Sequence, residues 1–394
     1  IWSMVSLHFA NGMLIALPTH AYPFVDGMSA FVLLSGMMLG IVHRRWMGAH
    51  DLDFSYRSLA KRVGVLYLAQ LLMSLVAVTA GMFLTAREFR MLTTLPHGES
   101  LIQQLWWAFT MRFLPSGGSI LVCYMVLMTL AFAVLPLLVR GRWPLVLAAS
   151  LTGYVISQVV TAEWMVIYAH PGGGPVQNWL AWQVLFVPAM VLGWHWRQWR
   201  VAQRLDSILP ALLGATLLVW LAIVIAVRTG AFADSAELIG KVHLGPVRAL
   251  AAWLVVTAVY AVFRRLLQWS GHDWFRPLVM VGARSLDSYV IQALALVAIP
   301  MLFVFRPWGL GVSTVAAVAV FAGCWCWAEI RTGLRIHKLH DAPAILSAWA
   351  QQMKQSRGEH RDTPETAQPP TERIRTRRPR REDTERARGE LLAP

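Results

Sequence analysis

The chain of 394 residues is 57% hydrophobic and only 14% charged, and it carries 19 tryptophans. That balance excludes an ordinary soluble globule and points to a polytopic membrane protein. The formal charge of +14 would suit a nucleic-acid binder, but its basic residues gather beside apolar runs, as in "HRRW" (43–46), "RQWR" (197–200) and "FRR" (263–265), and in the tail. Such clusters fit orientation signals at a membrane, with lipids rather than nucleic acid as the partner.

Apolar stretches of roughly the 17 to 25 residues needed to cross a bilayer as a helix recur along the chain. They fall at 1–17, 27–44, 63–85, 118–139, 145–167, 180–196, 208–227, 247–267, 282–304 and 311–330. Backbone groups cannot go unpaired in hydrocarbon, and no series of alternating strands suggests a barrel. The predicted fold is therefore an all-α polytopic bundle of about ten transmembrane helices. The chain opens on Ile1 with no charged segment ahead of the first apolar run, so it reads as truncated at its amino end, inside or just before the first membrane helix. Alternate connections (43–62, 140–142, 197–206, 264–276) and the segment after 330 are net basic. This Lys/Arg bias predicts a multi-pass protein of the plasma (inner) membrane with both visible termini cytoplasmic.

In the first span, "SLHFANGMLI" places His8 and Asn11 one turn apart on the same face. Gly12 then makes a plausible helix stop, which would leave His8 near the outer mouth of a cavity. The second span opens "FVDGMSAFVLLSG", with Asp26 at its outer end and Ser35 and Gly36 allowing close helix approach. Further on, "SLIQQLWWAFTMRFL" predicts a short amphipathic helix at the outer interface. "HPGGGPV" lacks the Lys-Ser/Thr of a phosphate loop and reads as an external turn. Cys123, Cys324 and Cys326 read as small apolar residues, with neither disulfide nor metal. From about residue 350 the composition turns to charge and proline, which cannot build a core. The chain thus divides into a transmembrane domain, 1–349, and a disordered basic cytoplasmic tail, 350–394.

Ionisable groups inside membrane spans are costly and mark candidate sites: His8, Asp26, Glu163, Arg284, Asp287 and Glu329. Imidazole titrates near neutrality, so His8 can take a proton from a hydroxyl and release it. Interhelical hydrogen bonding is the plainer role for it. Asp26 suits either a partner that fixes the histidine tautomer or a helix N-cap, and the two are compatible. Trp182 and Gln183, in "AWQ", are candidates for lining an acceptor site. Arg248 and Arg284 are candidates for binding phosphates or a carboxylate, or else arginines that snorkel.

Five stretches in order then carry a resemblance. "FVDGMSAFVLLSG", "ILVCYMVLMTLAFAVLPLL" (120–138), "QNWLAWQVLFVPAMVLGW" (177–194), "KVHLGPVRALAAWLVV" (241–256) and "VGARSLDSYVIQALAL" (281–296) resemble helix signatures of the OpgC family of membrane acyltransferases. The resemblance implies an O-acyltransferase that moves an acyl group, succinyl favoured, from cytoplasmic acyl-CoA to a hydroxyl of a periplasmic or cell-envelope glucan. It implies no bound cofactor, with acyl-CoA entering as a substrate. It implies His8 and Asp26 as catalytic residues and Asn11, Ser35, Trp182, Gln183, Arg248, Arg284 and Ser285 as substrate-binding. The chain departs from the family where Leu7 replaces an Asp before the histidine, Ser29 an acidic residue, and Trp179 a proline. A transporter or flippase for a glycan or lipid is the alternative class.

Overall fold

A computed structural model describes residues 1–9, 22–83, 99–115, 118–160, 162–231, 236–270, 274–302 and 310–334. Asn11 and the tail expected from residue 350 lie outside these. The elements are α1 (Trp2–Phe9), α2 (Gly27–Trp46), α3 (Leu52–Phe83), α4 (Leu101–Phe109), α5 (Ser119–Val139), α6 (Trp143–Val159), a hairpin of β1 (Val166–Tyr168) and β2 (Pro175–Asn178), α7 (Trp179–Trp194), α8 (Val201–Arg228), α9 (Ala236–Ile239), α10 (Pro246–Ser270), α11 (Arg276–Ala283), α12 (Ser285–Leu302) and α13 (Leu310–Gly333). Each predicted span from the second to the tenth holds the larger part of one helix, with differing bounds. Six are long and apolar enough to cross a bilayer: α2, α3, α5, α8, α10 and most of α13. The apolar helices α6, α7 and the apolar part of α12, Ser285–Ala298, are shorter, so a full set of ten spans is not what the described residues present. The fifth span is the one most altered. The chain leaves the helix at Val159, and residues expected to continue it form a 3-10 turn (Glu163–Met165) and β1.

The core sits where α2 packs along α7. Gly36 and Gly40 bring the backbones together: a Cβ on Gly36 would run into the Phe186 carbonyl, and one on Gly40 into the Met190 carbonyl. From the other side, Gly193 faces the Met37 carbonyl. Lipid gives helices no hydrophobic reason to associate, so such close approach is what membrane packing uses instead. Tyr124, Phe186 and Trp182 fill the space around this contact and are buried. Arg331 on α13 is ion-paired with Asp287 on α12, and Trp327 Nε1 donates to the same carboxylate at 3.2 Å. Glu329 accepts from Arg276 Nε and Nη2, both at 3.0 Å. These two acids from the sequence therefore serve to fasten α13, and Glu163 is exposed on the 3-10 turn. Cys123 and Cys324 are buried and free, whereas Cys326 is exposed.

Candidate functional site

Asp26 ends an extended stretch (φ −124°, ψ 173°) and N-caps α2. Its Oδ1 accepts from the Ser29 amide and from Ser29 Oγ, each at 3.0 Å. The capping geometry is the one a short acid before an apolar run predicts. Its other oxygen, Oδ2, lies 2.8 Å from Lys241 Nζ. The expected pairing of Asp26 with His8 is thus replaced: the carboxylate engages Ser29 and a lysine from the far side of the sequence. Burial pushes the Asp26 carboxyl up, but the Lys241 charge and hydrogen bond, with the two from Ser29, outweigh it and hold it below the usual carboxylate range.

Lys241 lies on a short connection before α10, and that connection is tied to the helices at every step. Trp182 Nε1 donates to the Lys241 carbonyl at 3.2 Å and the Asn178 amide to the Val242 carbonyl at 2.7 Å. Gln158 Nε2 donates to the His243 carbonyl at 2.8 Å, and the Tyr154 hydroxyl to the Leu244 carbonyl at 2.9 Å. Asn178 also caps α7, its Oδ1 accepting from Leu180 and Ala181 amides, while its Nδ2 donates to His243 Nδ1 at 3.1 Å.

His8, Asp26 and Lys241 open on one cavity of about 330 Å³. Its floor and walls are Met4, Gly27 and Met28, the start of α5 at Ser119 and Ile120, and β2 through Pro175, Val176 and Gln177. Gln177 is 2% exposed and donates through Nε2 to Ser119 Oγ at 3.0 Å and to the Met28 sulfur at 3.5 Å. A sulfur that only accepts fixes which end of the amide faces it. The Gln177 Oε1 is left as a buried acceptor with no partner among the described residues. The cavity size is at the small end of ligand sites, about 300 to 1,000 Å³. A wider, open hollow of about 620 Å³ lies over the turn from α2 to α3, walled by residues such as His50, Asp51 and Arg57, and holds none of the predicted site residues.

The other predicted residues fall elsewhere. Trp182 is fully buried and cannot stack on a sugar; it holds the Lys241 connection. Gln183 exchanges hydrogen bonds with Ser150 of α6, its Nε2 donating to the Ser150 carbonyl at 2.7 Å and its Oε1 accepting from Ser150 Oγ at 2.6 Å. Arg248 donates to the Phe24 carbonyl at 2.8 Å and the Ile239 carbonyl at 3.0 Å, so it fixes the chain just ahead of Asp26. Ser35 is half-buried on α2, and Arg284 and Ser285, at the break between α11 and α12, are half-buried as well. None of these lines the cavity. Sequence reasoning missed Lys241 and Gln177, because a lysine and a glutamine in connections between apolar runs look like solvated loop residues.

In comparison with known proteins, the sequence model of the family described as "OpgC protein" matches residues 1–335. No curated protein matches the chain, and no solved structure does.

Proposed function

The chain belongs to the OpgC protein family, and from that premise we propose that it is a membrane O-acyltransferase acting on a glucan, with His8 as general base. The donor is an acyl-CoA, succinyl-CoA favoured, and the acceptor a hydroxyl of a glucan on the outer side of the plasma (inner) membrane; both visible termini are cytoplasmic. What carries this reading is the placement of His8 on the same small cavity as the Asp26–Lys241 pair. An imidazole nitrogen can accept the hydroxyl proton as oxygen attacks a carbonyl, and return it to the departing thiolate. Asp26 acts on this site through Lys241 and through the start of α2, rather than by gripping the histidine.

The test compares envelope glycans by mass spectrometry in the wild type, a deletion strain, and the deletion complemented with the wild-type gene or with His8→Ala. The expected result is an ester-linked mass increment that vanishes on deletion and returns only with the wild-type gene. Removing a general base lowers rates by about 100- to 10,000-fold, so His8→Ala, present in the membrane at normal level, should leave the glycan bare. Full restoration by His8→Ala would make that residue structural. A deletion that leaves acylation untouched would favour a transporter.

A further inference from the structure

We propose that Lys241 stabilises the negative charge that forms on the acyl carbonyl oxygen during transfer, with Asp26 holding its ammonium in place. This rests on the acyl-transfer reading of the same cavity. An ammonium has three N–H donors and no acceptor. Asp26 Oδ2 engages the group at 2.8 Å, and the lysine side chain remains 48% exposed, on the wall of the cavity. Donors therefore remain for a ligand oxygen.

Two further observations favour an anion there. The connection that carries Lys241 is fixed by hydrogen bonds from Tyr154, Gln158, Asn178 and Trp182, so the charge is placed before any substrate arrives. Preorganised donors of this kind give their energy to the transition state without reorganisation. In addition, α5 begins at the cavity wall at Ser119, and Gly118 offers it no side-chain cap, so the positive end of that helix lies at the cavity, whereas the start of α2 is already taken by Asp26. Among the described residues Asp26 is the one carboxylate on the wall, and it already has its partners.

The step balances as follows. The sugar O–H proton passes to the His8 imidazole while its oxygen forms a C–O bond to the thioester carbon. The carbonyl π pair moves onto oxygen, and the resulting oxyanion accepts an N–H from Lys241. Collapse breaks the C–S bond, and the thiolate takes the proton from imidazolium. Lys241 neither gains nor loses a proton.

The experiment uses the full chain in lipid nanodiscs, with the glucan oligosaccharide and acyl-CoA that match the mass increment above. Lys241→Gln should lower kcat by about 100- to 1,000-fold, the usual effect of losing an oxyanion donor. The acceptor KM should stay within about threefold, because the lost interaction exists only in the transition state. Lys241→Arg should recover much of the rate. Since Lys241→Gln strands Asp26, the double variant Lys241→Gln/Asp26→Asn is measured beside it and should stay equally slow. Recovery of wild-type kcat by the double variant would overturn the proposal, since Lys241 would then only neutralise Asp26. A loss confined to KM would overturn it too. An inactive His8→Ala beside an unimpaired Lys241→Gln defeats this inference alone, whereas a fully active His8→Ala defeats the general-base reading on which it stands.

Discussion

At the scale of residues, Asp26 joins three parts of the chain: the start of α2, Ser29 within it, and Lys241 more than two hundred positions later. The acidic residue that the family pattern leads one to expect at position 29 is a serine here, and it is spent on the Asp26 carboxylate. Because the folded carboxyl titrates below its ordinary value, its contribution to stability is present above the unfolded carboxyl pKa, about 3.9, and fades as the pH drops through the lower folded value. Asp26→Asn keeps a side chain that can cap and removes the charge that pairs with Lys241. The melting temperature of the variant in detergent should therefore lie below that of the wild type at neutral pH, and the gap should close on acidification below the unfolded carboxyl value, as the wild-type carboxylate takes up its proton. A gap that persists unchanged into that range would mean that the ion pair contributes nothing.

At the scale of elements, α2 and α7 are held together by what they lack. Gly40→Val would drive a branched side chain into the Met190 carbonyl and the backbone at Gly193 and Trp194, none of which can give way cheaply. We expect loss of the folded species by size-exclusion chromatography, whereas Gly64→Ala on α3, where nothing lies within 4 Å of the added carbon, should fold normally and gain up to about 1 kcal/mol in helix propensity. If Gly40→Val folded as well as Gly64→Ala, the close approach would carry no weight. Legibility in the sequence follows the same line. The long apolar runs and the Ser35-Gly36 pair were readable, because a lipid-crossing helix must write its length and its small residues into the sequence, whereas Gly40 went unremarked. Asp26 and the short helix α4, capped by Ser100 with Trp106 exposed and Trp107 buried, were readable for the same local reasons. The hairpin that carries Gln177 was not: strands of three and four residues around "HPGGG" are too short to show a period. Nor was the role of Lys241, which comes from four long-range hydrogen bonds to its connection, or that of Trp182, whose identity suggested a sugar platform and whose burial makes it a scaffold.

At the scale of the whole molecule, the apolar surface decides what surrounds it. On α8 only Val201, Leu205 and Ile223 are buried, while Leu213, Leu217, Leu218, Leu221 and Ile225 are exposed along the helix. A soluble monomer rarely carries an uninterrupted apolar face of this kind. For a helix of 28 residues that holds an 18-residue stretch of mean hydropathy 2.6 the simplest cover is acyl chain. Leu218 lies near the middle of the apolar run 208–227 and is 68% exposed. Leu218→Arg should then cost about 2.5 to 3.5 kcal/mol of insertion, the penalty for arginine at a helix centre. Membrane fractionation after alkaline extraction would read this as a fall in the integrated share, with Leu218→Ala close to wild type. The cavity at His8, Asp26 and Lys241 shares no residue with α8, so whatever Leu218→Arg protein does insert should keep its kcat per inserted molecule. Undiminished insertion would instead place that face against water or a protein neighbour, and α8 would need a role other than that of a lipid-facing wall.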